Sequence, residues 1–204
     1  MPEREHTRNS QVSLGCSSLY LLAAWACLVS ATVLCEFVVV TGEEGDGGAT
    51  TSVSRGIWKG TSDVNAGGCG NYGGVYIDSK WKTAKAFSII GCFVGGTAVL
   101  PLVCACGKKL FMSQVVSMSG SCMWSCLFAG LTLLMLRSSA CDIDGLVNTS
   151  CGLGVGAKLA ISSTVLFFIT SISMNCTFMA AVITQEMEAQ QAEGGGDGSH
   201  DPES

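Results

Sequence analysis

Thiols, carboxylates and imidazoles are the groups in this chain that could do chemistry, and their placement leaves them little to do. The two histidines, His6 and His200, stand near opposite ends and outside every apolar stretch. A zinc site or a general base built on histidine is therefore excluded within those stretches. Cys122 and Cys126 lie four residues apart, which puts both thiols on one helical face, but a thiol redox catalyst uses Cys-x-x-Cys. Asp142 and Asp144 share a short connection, where solvated acids are the default and weak cation contact the alternative. Gly152, Gly154 and Gly156 follow no expected strand and lack the lysine-serine ending of a phosphate loop. An enzyme is accordingly the least favoured class, and no cofactor or metal is expected. A lipid- or thiol-modifying membrane enzyme would have to work through Cys122 or Cys126.

The elements that must position these groups are apolar. Of 204 residues, 48% are hydrophobic and 13% charged, about half the charge of a soluble domain. Leu19–Val40, Ala86–Cys106, Phe111–Leu136 and Leu159–Thr184 contain almost no charge, and each exceeds the roughly 20 residues a helix needs to cross a bilayer. The reading is a polar N-terminal tail (1–12), transmembrane helix 1 (13–41), a first outer loop (42–83) and helix 2 (84–106). A turn (107–110), helix 3 (111–136), a second outer loop (137–158), helix 4 (159–184) and an acidic tail (185–204) complete it. Helix 1 is too long for the apolar core of a cleaved signal and reads as an uncleaved anchor. The net charge of −5 comes mainly from the last segment, so nucleic acid is not an expected partner.

Within these runs, Gly91 and Gly95 form a small-xxx-small pattern that permits close helix contact. Ser113, Ser117, Ser121, Ser125 and Ala129 recur at every fourth position, a stripe that could line a pore but more commonly serves packing. Glu36, near the outer end of helix 1, is either a functional acid or one that snorkels to the interface, and Lys85 is its natural ion-pair partner. Cys104 and Cys106 flank Lys108 and Lys109 at a membrane edge, a setting for S-acylation or simply for buried cysteines.

The segment from Gly42 to Thr83 is the largest part able to meet water as a folded unit. Val53, Arg55 and Ile57 share one parity of a half-buried strand, and Gly74–Ile77 is a second strand candidate. Together they predict a small antiparallel sheet. Trp58, Tyr72, Tyr76 and Trp81 would fill its core or sit at the lipid interface, with Trp58 the expected anchor. Cys141 and Cys151 can close the second loop as a disulfide, which requires an oxidising compartment. The sequon Asn148-Thr149-Ser150 lies in the same loop. Disulfide, sequon and loop size all place these loops outside and both termini in the cytoplasm. The basic residues disagree: Arg55, Lys59, Lys80, Lys82, Lys85, Arg137 and Lys158 fall on the outer side, against Arg4, Arg8, Lys108 and Lys109 within.

Four helices, a large first loop with Gly56-Ile57-Trp58 and then Cys69, and a small second loop resemble the claudin and peripheral myelin protein superfamily, as a distant relative. That family carries Gly-Leu-Trp and two cysteines in its first outer loop, then an amphipathic entry to helix 2 that Lys82–Phe87 resembles. Thr61 occupies the place of the first cysteine, so Cys69 needs Cys35 or a second chain as its partner. The chain ends in Asp201-Pro202-Glu203-Ser204, without the apolar last residue that scaffold domains capture in claudins.

The expected architecture is an all-α membrane protein, a left-handed four-helix transmembrane bundle with a small extracellular antiparallel sheet in the first outer loop. By the resemblance, its role is that of a non-enzymatic, multi-pass plasma-membrane protein that organises membrane or mediates cell-surface contact. Its partners would be the bilayer and, laterally, copies of itself or other membrane proteins. An ion channel or channel accessory subunit is the alternative, with the serine stripe and Glu36 as its polar path.

Overall fold

The computed structural model describes residues 3–44, 50–60, 69–72, 77–104, 112–141 and 146–194. Four long helices carry most of the chain: α1 (Glu3–Val33), α2 (Ser79–Cys104), α3 (Met112–Thr132) and α4 (Val155–Gly194). α1 packs on α4 and α2, and α3 packs on α2 and α4, which closes the helices into a ring. Among the described residues, Ser79–Val103, Gln114–Arg137 and Val155–Thr184 are long and apolar enough to cross a membrane, and Ser17–Val33 of α1 is a shorter apolar stretch.

Small residues let the helices approach. Gly95 is buried where all four meet: a Cβ there would lie 3.0 Å from Trp25 of α1, 3.1 Å from Phe167 of α4 and 3.5 Å from the Ser125 hydroxyl of α3. A methyl group there would press on these side chains, and the Gly91/Gly95 spacing acts as a contact face. Beside it the Trp25 indole donates to the Cys92 carbonyl, 3.0 Å away, linking α1 to α2. On α4, Ser163 donates to the Ala24 carbonyl at 2.9 Å, and Ser171 meets Ser119 of α3 at 3.4 Å. Leu21, Leu28, Met118, Cys122 and Phe167 fill the remaining interior.

The fourth-residue stripe of α3 does not keep one orientation. At about 100° per residue, each step of four turns the stripe by roughly 40°. Ser117 is therefore exposed while Ser125 and Ala129 are buried, and Ser125 donates to its own helix at Ser121 (2.9 Å). Outward, the bundle shows large apolar side chains: Leu19, Phe93, Trp124, Val165, Phe168 and Ile172.

One end of the bundle carries a five-stranded antiparallel sheet in the order β4-β3-β2-β1-β5. Its strands are β1 (Val38–Glu44), β2 (Thr50–Arg55), β3 (Lys59–Gly60), β4 (Gly70–Asn71) and β5 (Leu146–Leu153). Several expectations change here. Helix 1 does not reach residue 41: α1 ends at Val33, and the apolar run continues as β1, where β-branched Val38 and Val40 are buried. The sheet is not confined to the first loop, because β5 from the second loop pairs with β1 from Val38↔Leu153 to Glu44↔Leu146. Strand β5 also precedes the glycines at 154 and 156, although Lys158 is followed by leucine and not by the serine or threonine of a phosphate loop. α2 begins at Ser79 rather than at 84, and α4 begins at Val155 rather than at 159. The strand expected at Gly74–Ile77 lies mostly outside the described residues, as do Asp142, Asp144 and Cys106.

Candidate functional site at the sheet end of the bundle

The tripeptide Gly56-Ile57-Trp58 forms the turn that follows β2. The Gly56 amide donates to the Lys59 carbonyl at 2.8 Å. A Cβ at Gly56 would collide with the backbone of Leu34, Cys35 and Lys59, so glycine is required by the close approach of the chain leaving α1. Ile57 is buried beside fully buried Trp81 of α2, whose indole donates to the Ile57 carbonyl at 3.3 Å. Tyr72 stacks edge-on against Trp81, centroids 4.7 Å apart at 79°. Its hydroxyl donates to the carbonyls of Gly56 and Lys59 (2.9 Å for the latter). Burial pushes the Tyr72 phenol up from its ordinary value, against the smaller opposing effects of the Arg55 charge and the bond to Gly56.

Trp58 is not the anchor expected of it. It is 41% exposed, and the buried aromatic is Trp81. What Trp58 meets is Lys85: the ammonium lies 5.3 Å from the Trp58 ring centroid and 5.5 Å from those of Tyr72 and Trp81. The expected Glu36–Lys85 ion pair is not formed; among the described residues Lys85 has aromatic faces and no carboxylate. Glu36 is exposed and takes part through its backbone, its carbonyl accepting from the Gly156 amide at 2.8 Å.

Two disulfides fasten the sheet. Cys35, in the turn after α1, bonds Cys69, just before β4, with Cα atoms 6.1 Å apart. This is the intrachain one of the two partners left open for Cys69. Cys141 bonds Cys151 of β5, with Cα atoms 5.5 Å apart. Each bond therefore ties one edge of the sheet to the segments beneath it.

Arg55, Asp78 and Lys80 hold the segment that follows α3, residues 137–140, against the sheet and the start of α2. Arg55 is buried at the end of β2 and donates to the carbonyls of Ser139 and Ala140 at 3.1 and 3.2 Å. Asp78 accepts from the Trp81 amide at 2.9 Å, capping α2, and from the Ser139 amide at 3.2 Å. Lys80 donates to the Arg137 carbonyl at 3.1 Å. An aspartate just before a helical run is an N-cap signal, and it was available at Asp78.

Asn148 is exposed and sits in a β-bulge, where Asn148 and Thr149 both oppose Gly42. Its φ of 56° is left-handed, a conformation asparagine tolerates better than most residues. Its side-chain amide donates to Glu43 at 3.3 Å. Cys104 is the last residue of α2. No protein-family model matches the chain, and no curated protein matches it.

Proposed function

We propose that this chain is a claudin-like protein of the cell surface with four membrane spans in a left-handed bundle, which organises membrane or mediates contact through its sheet-covered end. The observation that carries the reading is the disulfide-fastened sheet built around Gly56-Ile57-Trp58 on the helix ends, above helices with an apolar exterior. The apolar part of α1, Ser17–Val33, is 17 residues long, the lower end of the range for a span, and rises about 26 Å. Lipid on the outside explains why Phe93, Trp124 and Phe168 face away from the bundle.

Disulfides call for an oxidising compartment, so the sheet is assigned to the outside and both termini to the cytoplasm, at the plasma membrane. Asn148 then becomes a glycan acceptor, and Cys104 and Cys106 lie on the acylating side. The excess of basic residues at the outer end has a structural reason. Arg55, Lys80 and Lys85 are engaged by carbonyls and rings, and such contacts require cations on that side whatever the topology. Lateral copies of itself or other membrane proteins are the partners. The channel alternative lacks an observation of its own, because the bundle centre at Gly95 is filled by Trp25, Phe167 and Ser125.

Two populations of otherwise non-adherent cells, each expressing the chain with a different fluorescent tag, test the role. The tags should concentrate together at contacts between the populations or cluster within one membrane, and glycosidase should shift the surface protein only while Asn148 is present. Uniform distribution with no glycan on a surface-delivered protein would discard the reading.

A further inference from the structure

Between α1 and α2, just below the sheet, lies a laterally open cleft of about 250 Å³. Val29 and Thr32 of α1 form one wall, Ser88, Ile89 and Phe93 of α2 the other, and Trp58 closes the sheet end. Its hydroxyls ask nothing of a ligand: Thr32 donates to the Val29 carbonyl at 2.7 Å and Ser88 to that of Lys85 at 2.8 Å. To an occupant the cleft is therefore apolar. Lys85 does not line the cleft itself, but its ammonium lies 5.3 Å from the ring centroid of Trp58, the residue that closes the sheet end, which puts a cation beside that end.

Ser88, Ile89 and Cys92 follow Lys85 at the i+3, i+4 and i+7 positions of one helical face. Along α2, Ser88 to Phe93 lie about 4.5 to 12 Å beyond Lys85. The arrangement is a charge at one end and an apolar channel continuing along the helix, with α1 and α2 in less extensive contact than the other neighbouring pairs. Ligand pockets for whole small molecules run to about 300–1,000 Å³; this narrower slot, open sideways, suits one chain rather than a ring system.

We infer that the cleft binds a single-chain anionic amphiphile, a long-chain fatty acid, with its carboxylate on the Lys85 ammonium beside Trp58 and its tail between Val29 and Phe93. The charge argument decides the head group. Among the described residues no carboxylate meets Lys85, and the three aromatic faces around it attract the cation without neutralising it. A carboxylate arriving from the membrane completes the pair where water is scarce. The inference rests on the membrane reading of α1 and α2, but not on the adhesive role of the sheet.

The test uses the full chain in nanodiscs of neutral phosphatidylcholine and a palmitate bearing a diazirine in its tail. Crosslinks should map to Val29, Thr32 and Phe93. Lys85→Gln should weaken them about tenfold, as loss of one charge-assisted hydrogen bond would, while Lys85→Arg retains them. Ile89→Trp, which fills the slot and leaves Lys85 alone, should abolish them, so the outcome does not depend on the lysine variant folding. Unlabelled palmitate should compete and its methyl ester should not. Equal competition by the ester, unchanged labelling in either Lys85→Gln or Ile89→Trp, or better competition by phosphatidylserine would each overturn the assignment. A neutral diazirine lipid labelling Phe168 and Ile172 reports the membrane reading separately. If it fails, that reading falls; if it succeeds while palmitate leaves the cleft unlabelled, only this inference does.

Discussion

The backbone carbonyl of Ile57 is held by the indole of Trp81, 3.3 Å away in a fully buried setting, so the strand turn of the sheet and the first turns of α2 are one packed unit. Trp81 also touches Tyr72 and belongs to the core that includes Phe37, Val38, Val40 and Met135. Trp81→Ala should cost about 3–5 kcal/mol through cavity and lost burial, and Trp81→Phe less. Trp58→Ala, at an exposed position, should stay within about 1 kcal/mol. Limited proteolysis and thermal unfolding in detergent distinguish the two residues, and equal losses would contradict this division of labour.

Gly95 offers a sharper packing test. Gly95→Ala places a methyl group 3.0 Å from Trp25 and 3.1 Å from Phe167, an overpacking that should cost about 1–3 kcal/mol. Gly120→Ala meets nothing within 4 Å and should be neutral or slightly stabilising, since alanine is the better helix former. Melting temperatures of the two variants should move in different directions or by clearly different amounts.

How much of this was legible in the sequence follows from what each signal depends on. Helices 2, 3 and 4 and the Gly91/Gly95 contact could be read because a long uncharged run and a four-residue spacing are local properties. The end of α1 could not, since a buried strand and a membrane helix are equally apolar and Phe37–Val40 satisfies both. Strand β5 has the polar run Asn148-Thr149-Ser150, which becomes a strand only because β1 lies beside it to pair with. Lys85 was assigned to Glu36 because charges are visible in a sequence. Its aromatic neighbours come from a turn, a loop and its own helix, and only the folded chain brings them together.

The two disulfides divide the cysteines into chemical classes. Cys35, Cys69, Cys141 and Cys151 are bonded, whereas Cys27, Cys92, Cys122, Cys126 and Cys176 are free. Maleimide labelling of unfolded protein before and after reduction, read by peptide mapping, should show the first group only after reduction. Replacing Cys69 with serine should lower stability by about 2–4 kcal/mol and release Cys35 to label. A Cys35 still unreactive in that variant would mean a different partner.

Alkali should loosen the sheet end through Tyr72. Burial holds its phenol above the ordinary value of about 10, so the folded state keeps the proton after the unfolded chain has begun to lose it. The stabilisation is whole below about pH 10 and is lost as pH rises through the higher folded-state value. Tyr72→Phe removes that dependence, and with it the bonds to the Gly56 and Lys59 carbonyls, at a cost near neutrality of about 1–3 kcal/mol. Melting temperatures taken across the alkaline range should therefore fall more steeply for the native chain than for Tyr72→Phe, with the gap between them narrowing as pH rises. Parallel curves would show that the phenol titrates as freely in the folded protein as in the unfolded one.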